Sequence, residues 1–203
     1  MQTGLVNEAR ALAERELSES LPRRWRHVTA VAAKAERLAT LLPAERDRLA
    51  LVAAAVLHDV GYAPSVAVTG FHPLDGARWL QSIKFDGRVA ALVAHHTNAL
   101  VEAELRGLAA DLLDEFDRED SPVTDLLWFC DLTTGPDGQD FSVQERVEEV
   151  RQRYGLAQWF GSSSTEAPGS STKWRSGWKH CSHHLTRCRA PQAASDHGQC
   201  ASA

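Results

Sequence analysis

The strongest constraint on this chain is the place where its longest apolar run stops. Residues 49–57 are nine consecutive apolar positions, and the next two are His58 and Asp59. A bilayer-spanning helix needs about 20 such residues, so this run reads as a helix buried inside a protein. The His-Asp pair then falls at the end of a buried helix. A carboxylate left there without a partner is strongly destabilising, and it needs either a dense set of hydrogen bonds or a cation. A divalent metal supplies that charge. Imidazole nitrogen with carboxylate oxygen suits iron, manganese, zinc or cobalt better than calcium.

The rest of the body is patterned for helices. Ala, Leu and Arg dominate its first three quarters, and Tyr and Phe are scarce. Leu5, Val6, Ala9, Leu12, Ala13 and Leu17 form a helical stripe over residues 3–19. A second helix is predicted over 23–42, with Val28, Val31, Ala32, Ala35 and Leu38 on one face. Pro43 opens a third, which runs through the apolar stretch until Gly61 and Pro64 stop it. Further helices are predicted over 73–83, 89–96, 100–116 and from Ser121-Pro122 to Asp131, and a last one is capped by Ser142 and ends near 154. No useful length alternates with period two, and no internal repeat is visible. The fold class expected is all-α, a helical bundle with a metal site at its centre.

Composition changes sharply near residue 155. Residues 1–155 hold 17 Lys/Arg and 25 Asp/Glu, a net of −8, whereas 156–203 hold 5 and 2, a net of +3. The last 48 residues contain only Leu156 and Leu185 from the Leu, Ile, Val and Met set, too little to form a core. The expected organisation is therefore one helical domain over 1–155 and a low-aliphatic tail over 156–203. Two readings of the tail stay open, a disordered extension and translation in a shifted frame. A zinc site from Cys181, His183, His184 and Cys188 is disfavoured, because their spacing matches no familiar structural module. Cys130 reads as a small buried hydrophobe. The first residues lack a basic-then-apolar leader, so a cytoplasmic protein without a membrane segment is expected. The negative body argues against a nucleic-acid surface.

The body has only five histidines, each at an end or on the core face of a predicted helix. Taken singly, each reads as readily as a satisfied core or surface residue. Together with the acids they form an ordered set: His27, then His58-Asp59, His72, His95-His96 and Asp131. This order resembles the signature of the HD-domain metal-dependent phosphohydrolases over about residues 21–138. The segment His58-Asp59-Val60-Gly61 is its most specific piece, and His72-Pro73-Leu74-Asp75-Gly76-Ala77 and His95-His96 are similar to the segments of branches with two metals.

The resemblance implies that His27, His58, Asp59 and Asp131 hold one ion. Asp59 would bridge to a second, held by His72 and one or both of His95 and His96, with Asp59 and His58 at the heart of catalysis. The cofactor implied is a pair of divalent ions, iron, manganese or another transition metal, with zinc or cobalt as further candidates. Two such ions lower the pKa of a water between them, so that hydroxide attacks phosphorus at neutral pH. The partner implied is a nucleotide or other small phosphorylated metabolite, cleaved as a phosphomonoester or phosphodiester. Arg78 and Arg106 are candidate substrate-binding residues, although an exposed helical Arg is ordinarily a solvated charge. The chain lacks the Lys that many members carry just after the His-Asp pair, and it lacks the Gly-Tyr-Pro segment of the cyclic-di-GMP branch. Two other classes stay open: a di-iron oxygenase of the same fold, and a non-catalytic metal-binding regulatory module.

Overall fold

In the computed structural model of the chain, residues 3–142 together with Gln144 and Glu145 are described. The centre of the fold is α3 (Glu45–Leu57), every residue of which from Ala50 onward is buried. Ala53, Ala54 and Ala55 have no exposed surface, and such small side chains let neighbouring helices approach closely. Four helices do so: α1 (Thr3–Leu17), α2 (Pro22–Ala39), α5 (Gly87–Ala94) and α8 (Pro122–Leu132). Leu51, Val56 and Leu57 are among the most buried side chains of the core. Each contributes roughly 1.5–3 kcal/mol of burial, and truncating one to Ala would cost about 2–5 kcal/mol. The element that carries His58-Asp59 is thus fixed from four sides.

The predicted stripes become the buried faces. Ala9, Leu12, Ala13 and Leu17 of α1 are buried, as are Val28, Val31, Ala32 and Ala35 of α2. Pro22 stands in the first turn of α2, Pro73 in that of α4 (His72–Ser82) and Pro122 in that of α8, where a missing N–H costs nothing. Ser121 caps α8 by accepting from the amides of Val123 and Thr124. Ser142 and Glu145 bond reciprocally to each other's amides, a capping box where Ser142 is expected to cap the last helix; the remainder of that predicted helix and the whole of 156–203 lie outside the described residues. Among the described residues there is no β-strand, only an isolated bridge between Thr134 and Asp140, so the fold is all-α.

One predicted helix is broken. The stretch 100–116 divides into α6 (Ala99–Arg106) and α7 (Ala109–Glu115). Gly107 takes a φ of +73°, and the amides of Leu108 and Gly107 return to the carbonyls of Ala103 and Glu104. This is a Schellman termination, which outweighs the continuing apolar spacing. Two single 3-10 turns complete the frame, Val60–Tyr62 after α3 and His96–Asn98 after α5.

Candidate metal centre

The site lies where α3 ends. His58 closes the helix and Asp59 starts the Val60–Tyr62 turn, so both are fixed by the most buried part of the core and are 0% and 3% exposed. α2 brings His27 from one side, and α8 brings Asp131 near its end. The Val60–Tyr62 turn packs backbone to backbone on the first turn of α4. A Cβ on Gly61 would stand 2.0 Å from the His72 carbonyl oxygen, so only glycine fits there. That contact carries His72 to Asp59. His96 arrives on the second 3-10 turn.

Six side chains converge in two groups that could each hold a metal: His27, His58 and Asp131, and Asp59, His72 and His96. In the first, His27 Nε2 lies 3.1 Å from Asp131 Oδ1 and 3.3 Å from His58 Nε2, and His58 Nε2 lies 3.5 Å from Asp131 Oδ1. In the second, His72 Nε2 lies 3.2 Å from His96 Nε2 and 3.4 Å from Asp59 Oδ1, with His96 Nε2 at 4.0 Å from the same oxygen. Asp59 also faces the first group: its Oδ2 is 3.4 Å from His58 Nε2 and 3.7 Å from His27 Nε2. Donors about 2.1 Å from a shared ion stand about 3.0 Å apart at octahedral angles and about 3.4 Å apart at tetrahedral ones. The observed spacings fall in or just beyond that range.

The tautomers sharpen the point. The Nδ1–H of His27 donates to the Gly135 carbonyl at 3.0 Å, that of His58 to Ala55 at 2.9 Å and that of His96 to Val93 at 2.6 Å. A carbonyl only accepts, so each Nδ1 carries a hydrogen and each ring turns its Nε2 to the centre. Two lone pairs 3.3 Å apart, as in His27 and His58, cannot bond to each other; they need a proton or a metal between them. Burial works against charge on His58, but Asp59 and Asp131 outweigh it and hold its pKa well above the ordinary value. Burial likewise opposes charge on Asp59, yet His58, His72 and Arg24 keep its carboxyl well below the usual range. Asp131 is also held low, against burial, chiefly by His58 and His27. His72 moves the other way: burial first, with His96 and His58, pushes it down to about 3, which keeps it neutral. The centre thus holds two ionised, buried carboxylates among imidazoles, a donor set that a divalent cation could take up in place of the His58 proton.

The structure resolves the adjacent histidines. His96 faces the centre, whereas the ring of His95 donates through Nε2 to the Phe116 carbonyl at 2.8 Å and joins neither group. The expectation that His95 is a ligand is corrected accordingly: its polar end ties α5 to the end of α7. Arg78 is paired with Glu115 and lies within reach of Asp111. Arg106 is paired with Glu102 one helical turn away and sits over the Phe71 ring. Both candidate substrate arginines are thus engaged by carboxylates outside the metal groups. Cys130 is fully buried, and burial pushes its thiol up to about 12, so it is no nucleophile.

Sequence reasoning missed three supporting groups. Arg24 donates from Nη1 to Asp59 Oδ2 at 2.8 Å. Tyr62 stacks on His72 with ring centroids 4.0 Å apart. Thr97 adopts a φ of +46° and donates its hydroxyl to Asp131. The positions of Arg24 and Tyr62, one turn before His27 and just after the His-Asp pair, were the available signal.

Residues 24–119 match the family model described as the HD domain, and this part of the chain is an HD domain. The match takes in His27, His58, Asp59, His72 and His96, and Asp131 lies beyond its end. HD domains form a superfamily of metal-dependent hydrolases that bind divalent ions. No curated protein and no solved structure matches the chain. Among the described residues no helix is long and apolar enough to cross a membrane.

Proposed function

We propose that the chain is a metal-dependent phosphohydrolase that cleaves a phosphomonoester or phosphodiester of a nucleotide or other small phosphorylated metabolite. One ion would be held by His27, His58, Asp59 and Asp131, and a second by Asp59, His72 and His96. The observation that carries this reading is the division of Asp59, whose Oδ2 faces His58 and His27 while its Oδ1 faces His72 and His96. A carboxylate turned between two imidazole groups in this way suits two cations and leaves a single cation unbalanced to one side. When bound, a pair of ions supplies Lewis acidity toward phosphoryl oxygens and makes water nucleophilic at neutral pH.

The chain's own residues prepare this chemistry. The carbonyls of Gly135, Ala55 and Val93 fix three rings with Nε2 inward, so no reorganisation is needed when a ligand arrives. Burial of His58, Asp59 and His96 keeps bulk water from competing for their lone pairs. Tyr62 is pushed up to about 12 by burial and then by Asp59, so its hydroxyl remains a donor across the working pH range. The net charge of −5 disfavours polyanionic nucleic acid and leaves a small phosphorylated molecule as the substrate class.

The test is a phosphate-release screen of the purified full chain loaded with manganese or iron, over mono- and diesters of nucleotides and small metabolites. Ion content and oxygen consumption are followed alongside. Phosphate release that requires the ions and stops with a chelator supports the reading. Oxygen consumption without phosphate release would make the chain an oxygenase, and full ion content with neither would make it a binding module.

A further inference from the structure

We infer that Arg24 is the substrate's anion-binding residue, a guanidinium set beside the metal groups to take a non-bridging phosphate oxygen. This rests on the phosphohydrolase reading of the same centre. Three observations carry it. First, Arg24 contacts Asp59 Oδ2 at 2.8 Å, so its charge stands directly beside the carboxylate proposed to bridge the ions. The neighbouring cations of α2 are directed elsewhere: Arg23 and Arg26 to Asp137, and Lys34 to Thr133 and Asp140. Second, Arg24 is held in place by a plate. Its guanidinium carbon lies 4.1 Å over the Tyr62 ring, and the opposite stacking partner of Tyr62 is His72. Third, the side chain is about a third exposed, at 35%, whereas Asp59 beneath it is 4% exposed. The side chain is therefore engaged by Asp59 yet not closed off from solvent.

A guanidinium has five N–H donors in a planar fork, and the Asp59 contact uses one of them. With ions neutralising Asp59, the pull of that carboxylate on Arg24 falls, and the remaining donors suit the tetrahedral oxygens of a phosphate. The Arg24–Tyr62–His72 stack fixes the direction of approach, so the residue is built for orientation as well as charge.

The experiment is calorimetric titration of inorganic phosphate into the manganese-loaded full chain, with ion content measured on the same samples. Arg24→Met and Arg24→Gln should keep the wild-type ion content and bind phosphate roughly tenfold to hundredfold more weakly, the range of a hydrogen bond to a charged group. Gln keeps a donor toward Asp59 and guards against misfolding of the Met variant. Tyr62→Leu, which removes the ring beneath the guanidinium, should bind phosphate severalfold more weakly. Unchanged phosphate affinity in either Arg24 variant would overturn the inference. So would loss of the ions in both, which would make Arg24 a support for Asp59 alone. Wild-type protein that holds its ions but does not bind phosphate would also overturn it, whereas the phosphohydrolase reading falls only if no ester is cleaved.

Discussion

The two halves of the centre are built differently. His58 closes α3 and His27 and Asp131 come from helices packed on it, and both imidazoles are locked by a backbone carbonyl. Asp59, His72 and His96 come instead from two 3-10 turns and the first residue of α4. There only His96 has a carbonyl lock, and His72 leans on the Tyr62 ring. The first half is positioned by the core, and the second by close backbone contacts between short segments. The difference teaches that an ion in the second group would depend on local geometry to a degree that one in the first would not.

The largest effect should come from removing what the halves share. Asp59→Ala should lose both ions and all hydrolysis, more severely than any other single change, because it removes the carboxylate facing both groups. Elemental analysis of the folded variant checks this, and wild-type ion content would contradict it. The next should come from the contact that supports the second half alone. Gly61→Ala places a methyl 2.0 Å from the His72 carbonyl oxygen and 2.7 Å from the Gly76 amide. It should cost about 3 kcal/mol in urea unfolding and weaken the second ion at least about tenfold while the first is retained. Gly76→Ala meets its neighbours at 3.1 Å and beyond, and should be milder. Equal loss of both ions in Gly61→Ala would erase the distinction between the halves.

The smallest effect concerns the joint between them. Thr97 follows His96 and donates to Asp131, and it does so from a left-handed backbone that costs a β-branched residue about 1–2 kcal/mol. Thr97→Val keeps the strain and loses the hydroxyl; Thr97→Gly loses the hydroxyl and relieves the strain. The Gly variant should therefore be the more stable by about 1 kcal/mol in urea unfolding, with ion affinity lowered a few-fold in both. The reverse order would mean that the strain is not real.

Much of this was legible because its cause is local in sequence. The nine-residue apolar run ending in His58-Asp59 gave the central helix and the site's position, and apolar spacing gave the buried faces of α1 and α2. The ordered histidines anticipated five of the six converging side chains outright. The sixth, His96, could not be told from His95, because adjacent residues at a helix end point apart by an amount that depends on where the helix unwinds. The break at Gly107 was hidden by apolar spacing that continues across it. Arg24 was hard to read for a different reason, its place one turn before His27 being the available cue. Among the many arginines of the body, its role comes from Asp59 and Tyr62, more than thirty residues distant in sequence and adjacent only in the fold.

The most direct test of the central claim is ion stoichiometry in wild type and His72→Ala, measured by elemental analysis after saturation with manganese or iron. A centre of two groups joined by Asp59 predicts about two ions per chain in the wild type and about one in the variant, with the first site intact. One ion in both proteins would contradict the two-ion centre, and would leave His72 and His96 as groups that face Asp59 without binding metal.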